Sequence, residues 1–224
     1  MLRAGPFERS VPSMRRIALC AAGAALFLGC GDGSGGSGPT LTILTISADS
    51  LLDGYVTNTG LFTAARTGPL TGDLDAVHAG EDFRQFYSFA LPVLPGGAVV
   101  DSMRLQLFQA RVTGAPYTKL GNVIVDHLDY GTALDSADYD AAALEADIGT
   151  LSIDGTHGYK VLNVTTAVLG DYGAARPRSQ FRIRFSTVDG NNDGLSDYVE
   201  FGDAEKSCCT PNGVPHLVIV YHLP

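Results

Sequence analysis

The chain has 224 residues, 45% of them hydrophobic, with no tryptophan and a formal net charge of −9. Four of its 15 basic residues but only one of its 24 acidic ones fall in the first 29 positions, so the remainder is more acidic still. That balance excludes the positive surface that nucleic acid or an anionic membrane face requires, and it suits cations.

Met14-Arg15-Arg16 places two positive charges directly before an uncharged apolar run from Ile17 to Leu28, closed by Gly29-Cys30. This is the layout of a secretory signal peptide, so residues 1–29 are set aside from the fold, with Met14 as an alternative start. The run is too short to span a bilayer, which takes about 20 apolar residues, and no other stretch approaches that length. Gly29-Cys30 resembles the lipobox of bacterial lipoproteins, although Phe27 stands where Leu or Val is usual. That resemblance implies lipidation of Cys30 and a membrane anchor; ordinary cleavage with Cys30 as a plain thiol is the alternative. Residues 31–38 read GDGSGGSG, which cannot form a core and serves as a tether, giving a lipidated cysteine and tether over 30–40 and one domain over 41–224.

Within the domain, short β-rich runs are separated by Gly, Pro, Asn and Asp. The patterns predict strands at 41–47, 83–91, 99–112, 123–128, 159–164, 181–186, 198–201 and 216–222. Phe181, Ile183 and Phe185 alternate with Arg182 and Arg184, the period of a strand with one buried and one wet face. Met103, Leu105 and Leu107 alternate in the same way until Phe108. The stretch from Asp53 to Asp82 reads mostly as loop, and loops of that length are commonly functional. Two short helical segments are expected, one over 136–148 through Ala141-Ala142-Ala143-Leu144 and one over 165–172. The fold class is therefore all-β, a jelly-roll-like antiparallel β-sandwich with one or two short helices. Cys208 and Cys209 are adjacent, and either a vicinal disulfide or two thiols free for other partners fits them.

One motif carries specific chemistry. From Asp189 to Glu200 the chain reads DGNNDGLSDYVE, which matches a twelve-residue calcium loop. Calcium takes six to eight hard oxygen ligands. Side-chain oxygens of Asp189, Asn191 and Asp193, the backbone carbonyl of Leu195, Asp197 and a closing Glu200 are the candidate ligands of a structural calcium ion, with Gly194 at the sharp turn. A polar turn is the simpler alternative, since the same residue types favour turns.

Several segments fall in the order of a known family. Residues 84–108, RQFYSFALPVLPGGAVVDSMRLQLF, resemble the centre of the DNRLRE-type domain, where an Arg-led strand is followed by a Pro-Gly turn and a second strand. Residues 161–168, VLNVTTAV, resemble its Asp-Val-Thr segment with Asn163 in place of Asp, and residues 215–221 resemble its closing strand without the usual Arg. The resemblance implies a jelly-roll sandwich akin to carbohydrate-binding modules, on secreted or surface proteins, with no catalytic set to transfer.

No nucleophile elbow, zinc-protease helix or phosphate loop occurs, and an enzyme is not expected. The carboxylate pairs Asp73/Asp75 and Asp138/Asp140 have the chemistry of glycoside hydrolysis, but acidic loops on an acidic protein explain them more simply. For polysaccharide binding, Tyr55, Tyr117, Tyr130 and Tyr139 are candidate stacking rings in loops. Arg84, Arg104 and Lys119 are candidate partners for sugar carboxylates. A noncatalytic lipoprotein at the outer membrane or cell surface that binds an acidic polysaccharide is one expectation; a structural or assembly protein without a glycan ligand is the other.

Overall fold

The structure is a computed structural model and describes residues 38–60, 62–64, 70–76, 80–187, 190–204 and 213–224. Cys30, Cys208, Cys209 and Asp189 lie outside the described residues, as do the signal segment and most of the tether. The strands are β1 (Leu41–Ser47), β2 (Gly54–Thr57), β3 (Phe62–Ala64), β4 (Leu70–Leu74), β5 (Asp82–Ala90), β6 (Val99–Thr113), β7 (Val123–Leu128), β8 (Glu145–Ser152), β9 (Gly158–Asn163), β10 (Arg178–Phe185), β11 (Ser196–Phe201) and β12 (His216–His222). Two helices, α1 (Pro116–Lys119) and α2 (Thr165–Gly173), and a 3-10 turn at Ser136–Asp140 interrupt them.

All pairings are antiparallel, in the order β1-β12-β6-β11-β4-β5-β10-β7-β8, with β9 on β6 and the β2–β3 pair on β5. The sheet is sandwich-like and its two halves share one core. Tyr87 and Phe89 of β5, Val123 and Val125 of β7, and Phe181, Ile183 and Phe185 of β10 pack with Met103, Leu105 and Leu107 of β6 and Leu217 and Ile219 of β12. Removing a side chain such as Phe89 or Phe181 from water contributes roughly 2–3 kcal/mol each. α2 adds Val168 to this core, as the pattern over 165–172 predicts.

A second cluster of Leu52, Val56, Phe86, Leu128, Tyr130, Leu134 and Tyr139 lies on the outer face of β5, β10 and β7. It explains why β5 is buried along nearly its whole length. It also corrects the wet face assigned to β10. Arg182 is only 6% exposed, because the 129–144 segment folds over that face. The arginines remain charged there because Asp126 meets them: Arg182 Nε donates to Asp126 Oδ2 at 2.9 Å and Arg184 Nε at 2.8 Å.

Three further readings change. The 53–82 stretch contains β2, β3 and β4, which are three to five residues each and too short or too glycine-rich to show a period. The helix expected over 136–148 stops at Asp140, where Ala141 adopts ψ 135°, and the chain then pairs with β7 as β8. Tertiary pairing outweighs the alanine propensity there, which is worth only tenths of a kcal/mol per residue. The alternation of β6 does not break at Phe108: Gln109 continues the buried face, its amide donating to the carbonyls of Asp154 and Thr156, and Phe108 points outward.

Candidate functional site

The 190–197 loop is shaped by its own polar side chains. Asn191 Oδ1 accepts from the Asp193 N–H at 3.0 Å, and Asp193 Oδ1 accepts from the Leu195 N–H at 2.9 Å. Gly190, Asn192 and Gly194 take positive φ values of 63°, 54° and 78°, which glycine and asparagine adopt at the least cost. The loop lies against the end of β4, where Asp73 Oδ1 accepts from the Asp197 N–H at 3.0 Å and Oδ2 from the Asn191 N–H at 3.4 Å. Lys119, at the end of α1, reaches across to it, with Nζ 2.7 Å from Asp193 Oδ2 and 2.8 Å from Asp197 Oδ2. These hydrogen bonds, Asp193 first and then Asp197, push the Lys119 ammonium above its ordinary value, and Lys119 in turn lowers the Asp193 carboxyl.

Not all six sequence-predicted calcium ligands meet at one point. Asp197 and Glu200 sit three residues apart in β11, and the strand's period of two sends them to opposite faces. Asp197 is fully buried, whereas Glu200 pairs with Arg111 of β6 on the other side. A twelve-residue shell closed by Glu200 needs a helix after the loop, and here a strand follows. Among the described residues, no three Asp, Glu, His or Cys side chains converge closely enough to enclose a metal ion as they stand.

The sequence-predicted polysaccharide residues are not assembled either. Tyr55, Tyr130, Tyr139 and Arg84 are all buried. Arg84 lies 3.8 Å from the centre of the Tyr139 ring and donates to the Tyr139 carbonyl at 2.6 Å, while the Tyr139 hydroxyl donates to Asp82. These groups tie the 3-10 turn to β5. Tyr117 packs edge-on against Phe185, its hydroxyl 2.5 Å from Gln109 Oε1 and 2.8 Å from Ser152 Oγ, and burial pushes its pKa up to about 12. Lys119 is engaged by the acidic loop. Of the set, only Arg104 is exposed to solvent.

Arg104 belongs to a different surface. On the outer face of β6 and β9 the register pairs Arg104 with Asn163, Gln106 with Val161 and Phe108 with Tyr159. The last two rings meet edge to face at 5.3 Å, and Tyr159 is 43% exposed. Arg104 makes no ion pair among the described residues. Three rungs at two residues per rung cover about 14 Å, enough for two or three sugar rings. Sequence reasoning placed the stacking rings in loops and passed over Tyr159 because it lies in a strand. The signal was present in the alternation of Tyr159, Val161 and Asn163 with Lys160 and Leu162.

His127 of β7 and Asp171 of α2 form a buried pair, with Nε2 2.9 Å from Oδ2, and Arg176 holds the other oxygen of Asp171 at 3.2 Å. This pair fastens α2 to the sheet. No helix among the described residues is long and apolar enough to cross a membrane. No family model and no curated protein matches the chain.

Proposed function

We propose that this protein is a noncatalytic, exported surface lipoprotein, anchored through Cys30, whose β-sandwich binds a polysaccharide on the outer face of β6 and β9 and is stabilised by calcium at the 190–197 loop. The observation that carries the reading is the Phe108–Tyr159 aromatic pair, in register with Gln106, Arg104 and Asn163. A sugar face stacks on an exposed ring, and amide and guanidinium groups two residues away reach its hydroxyls or carboxylates. Arg104 suits an acidic polymer. The motif-level resemblance of residues 84–108 to the DNRLRE-type domain supports the same class.

Co-sedimentation with calcium-gelled alginate, pectate and a neutral polymer such as cellulose tests it. The full chain is expected in the pellet with an acidic polymer, and Tyr159→Ala and Arg104→Ala are each expected to reduce the bound fraction at least about five-fold. Retention unchanged in both variants removes the β6–β9 face as the site. No retention on any polymer favours the structural surface protein.

A further inference from the structure

We propose that a divalent cation of the calcium class binds where the end of β4 meets the 190–197 loop, with Asp75 as its principal ligand and Asp73 and Asn191 beside it. The proposal rests on the reading of this loop as a cation site, but it moves the ion away from the ligand set closed by Glu200 and toward β4.

The central observation is Asp75. It is 6% exposed, its Oδ1 accepts from the Gly80 N–H at 2.7 Å, and its Oδ2 is buried with no hydrogen-bond partner among the described residues. A buried carboxylate oxygen left unpaired is costly, and a bound cation removes that cost. The turn that holds Asp75 runs beside the loop. A Cβ placed on Gly80, whose N–H holds Asp75, would come within 3.8 Å of Asn192 Oδ1, and one on Gly190, next to Asn191, would meet Asp73 Cβ at 3.0 Å. Asp73 and Asp197 face each other across the β4–β11 pair, and both are buried.

Charge balance points the same way. Asp73, Asp75, Asp193 and Asp197 bring four carboxylates to this end of the sandwich. Among the described residues, the one basic side chain hydrogen-bonded to any of them is Lys119, which engages Asp193 and Asp197. Among the described residues, Asp73 and Asp75 have no basic partner. Burial raises the Asp73 carboxyl despite hydrogen bonds from the backbone of Asp197 and Asn191, and the charges of Asp75 and Asp197 raise it further. Each Asp73 oxygen uses one acceptor position on an N–H and keeps one for a metal, as does Asn191 Oδ1. With three protein groups and water completing the shell, the site falls in the weak range of extracellular modules, roughly 10⁻⁴–10⁻³ M.

The test is calorimetry and thermal melting of the purified full-length chain, stripped with chelator and titrated with calcium chloride, beside Asp75→Asn and Asp193→Asn. The wild type is expected to bind with that affinity and to gain roughly 4–8 °C at 10 mM calcium. Asp75→Asn is expected to weaken binding at least ten-fold. In chelator it should melt no lower than wild type, because the substitution removes an unpaired buried charge; a residue with a purely structural role would show the opposite order. Full calcium binding by Asp75→Asn, with loss in Asp193→Asn, overturns the β4 site and leaves the loop reading standing. Loss in Asp75→Asn alone supports the β4 site without the loop, and no response in the wild type removes both.

Discussion

Asp126 is the residue on which the outer face of β5, β10 and β7 depends. Both of its oxygens are taken: Arg182 and Arg184 donate from their guanidinium groups, and the Asp147 N–H donates to Oδ1 at 2.9 Å. Burial alone would raise the Asp126 carboxyl, but these hydrogen bonds, led by Arg184, hold it below the usual carboxylate value. Its folded pKa therefore lies under the unfolded value of about 4. The stabilisation is complete above that pH and is lost as pH falls through the folded pKa. Asp126→Asn is expected to cost about 3–5 kcal/mol at pH 7 by leaving Arg182 buried without its counter-charge. In chemical denaturation the gap to wild type should stay constant from pH 7 to about 5 and narrow below about 4. A gap independent of pH would mean that packing, not charge, supplies the stability. Tyr159 is the contrasting case: exposed on the open face, it should tolerate alanine within about 0.5 kcal/mol while polymer binding falls.

At the scale of elements, the β4–β11 pair positions the acidic loop, and its close approach depends on Gly72. With φ at 119°, a Cβ on this residue would lie 2.3 Å from the Asp197 carbonyl oxygen, a contact that only backbone movement relieves. Gly72→Ala is expected to lower stability by at least about 2 kcal/mol and to abolish the calcium response together with it, as measured by denaturant unfolding with and without calcium. The elements legible in the sequence were those with clean alternation, β10 and much of β6, the β-rich apolar runs of β1, β7 and β12, and the helix α2. β2, β3 and β4 are held by their neighbours more than by their own pattern, and β8 forms where an alanine-rich run favours a helix in isolation. The candidate sites divide in the same way. The acidic loop is contiguous in sequence and could be read. Asp75 and Tyr159 acquire their proposed roles only from strands paired far along the chain, and Tyr130 and Tyr139 were buried in the second cluster that no local pattern announces.

For the molecule as a whole, β1 lies at one end of the sheet order, with β12 as its neighbour in the sheet. Leu41 is 56% exposed and Ile43 65%, and the strand carries no charge or proline to deter pairing with another chain. Ile43→Lys is expected to leave the melting temperature within about 3 °C and to slow aggregation on heating, followed by light scattering. An unchanged aggregation rate would mean that the strand edge is covered. The net charge of −9 makes the whole protein a poor general partner for an acidic polymer, so the proposed binding rests on the local arrangement on β6 and β9. The most direct measurement of that claim is isothermal titration of the full chain with defined alginate oligosaccharides, compared with Tyr159→Ala. Saturable binding by the wild type, weakened at least ten-fold in the variant while its melting temperature is unchanged, is the predicted result. Equal affinity in the two proteins, or no heat in either, would contradict it.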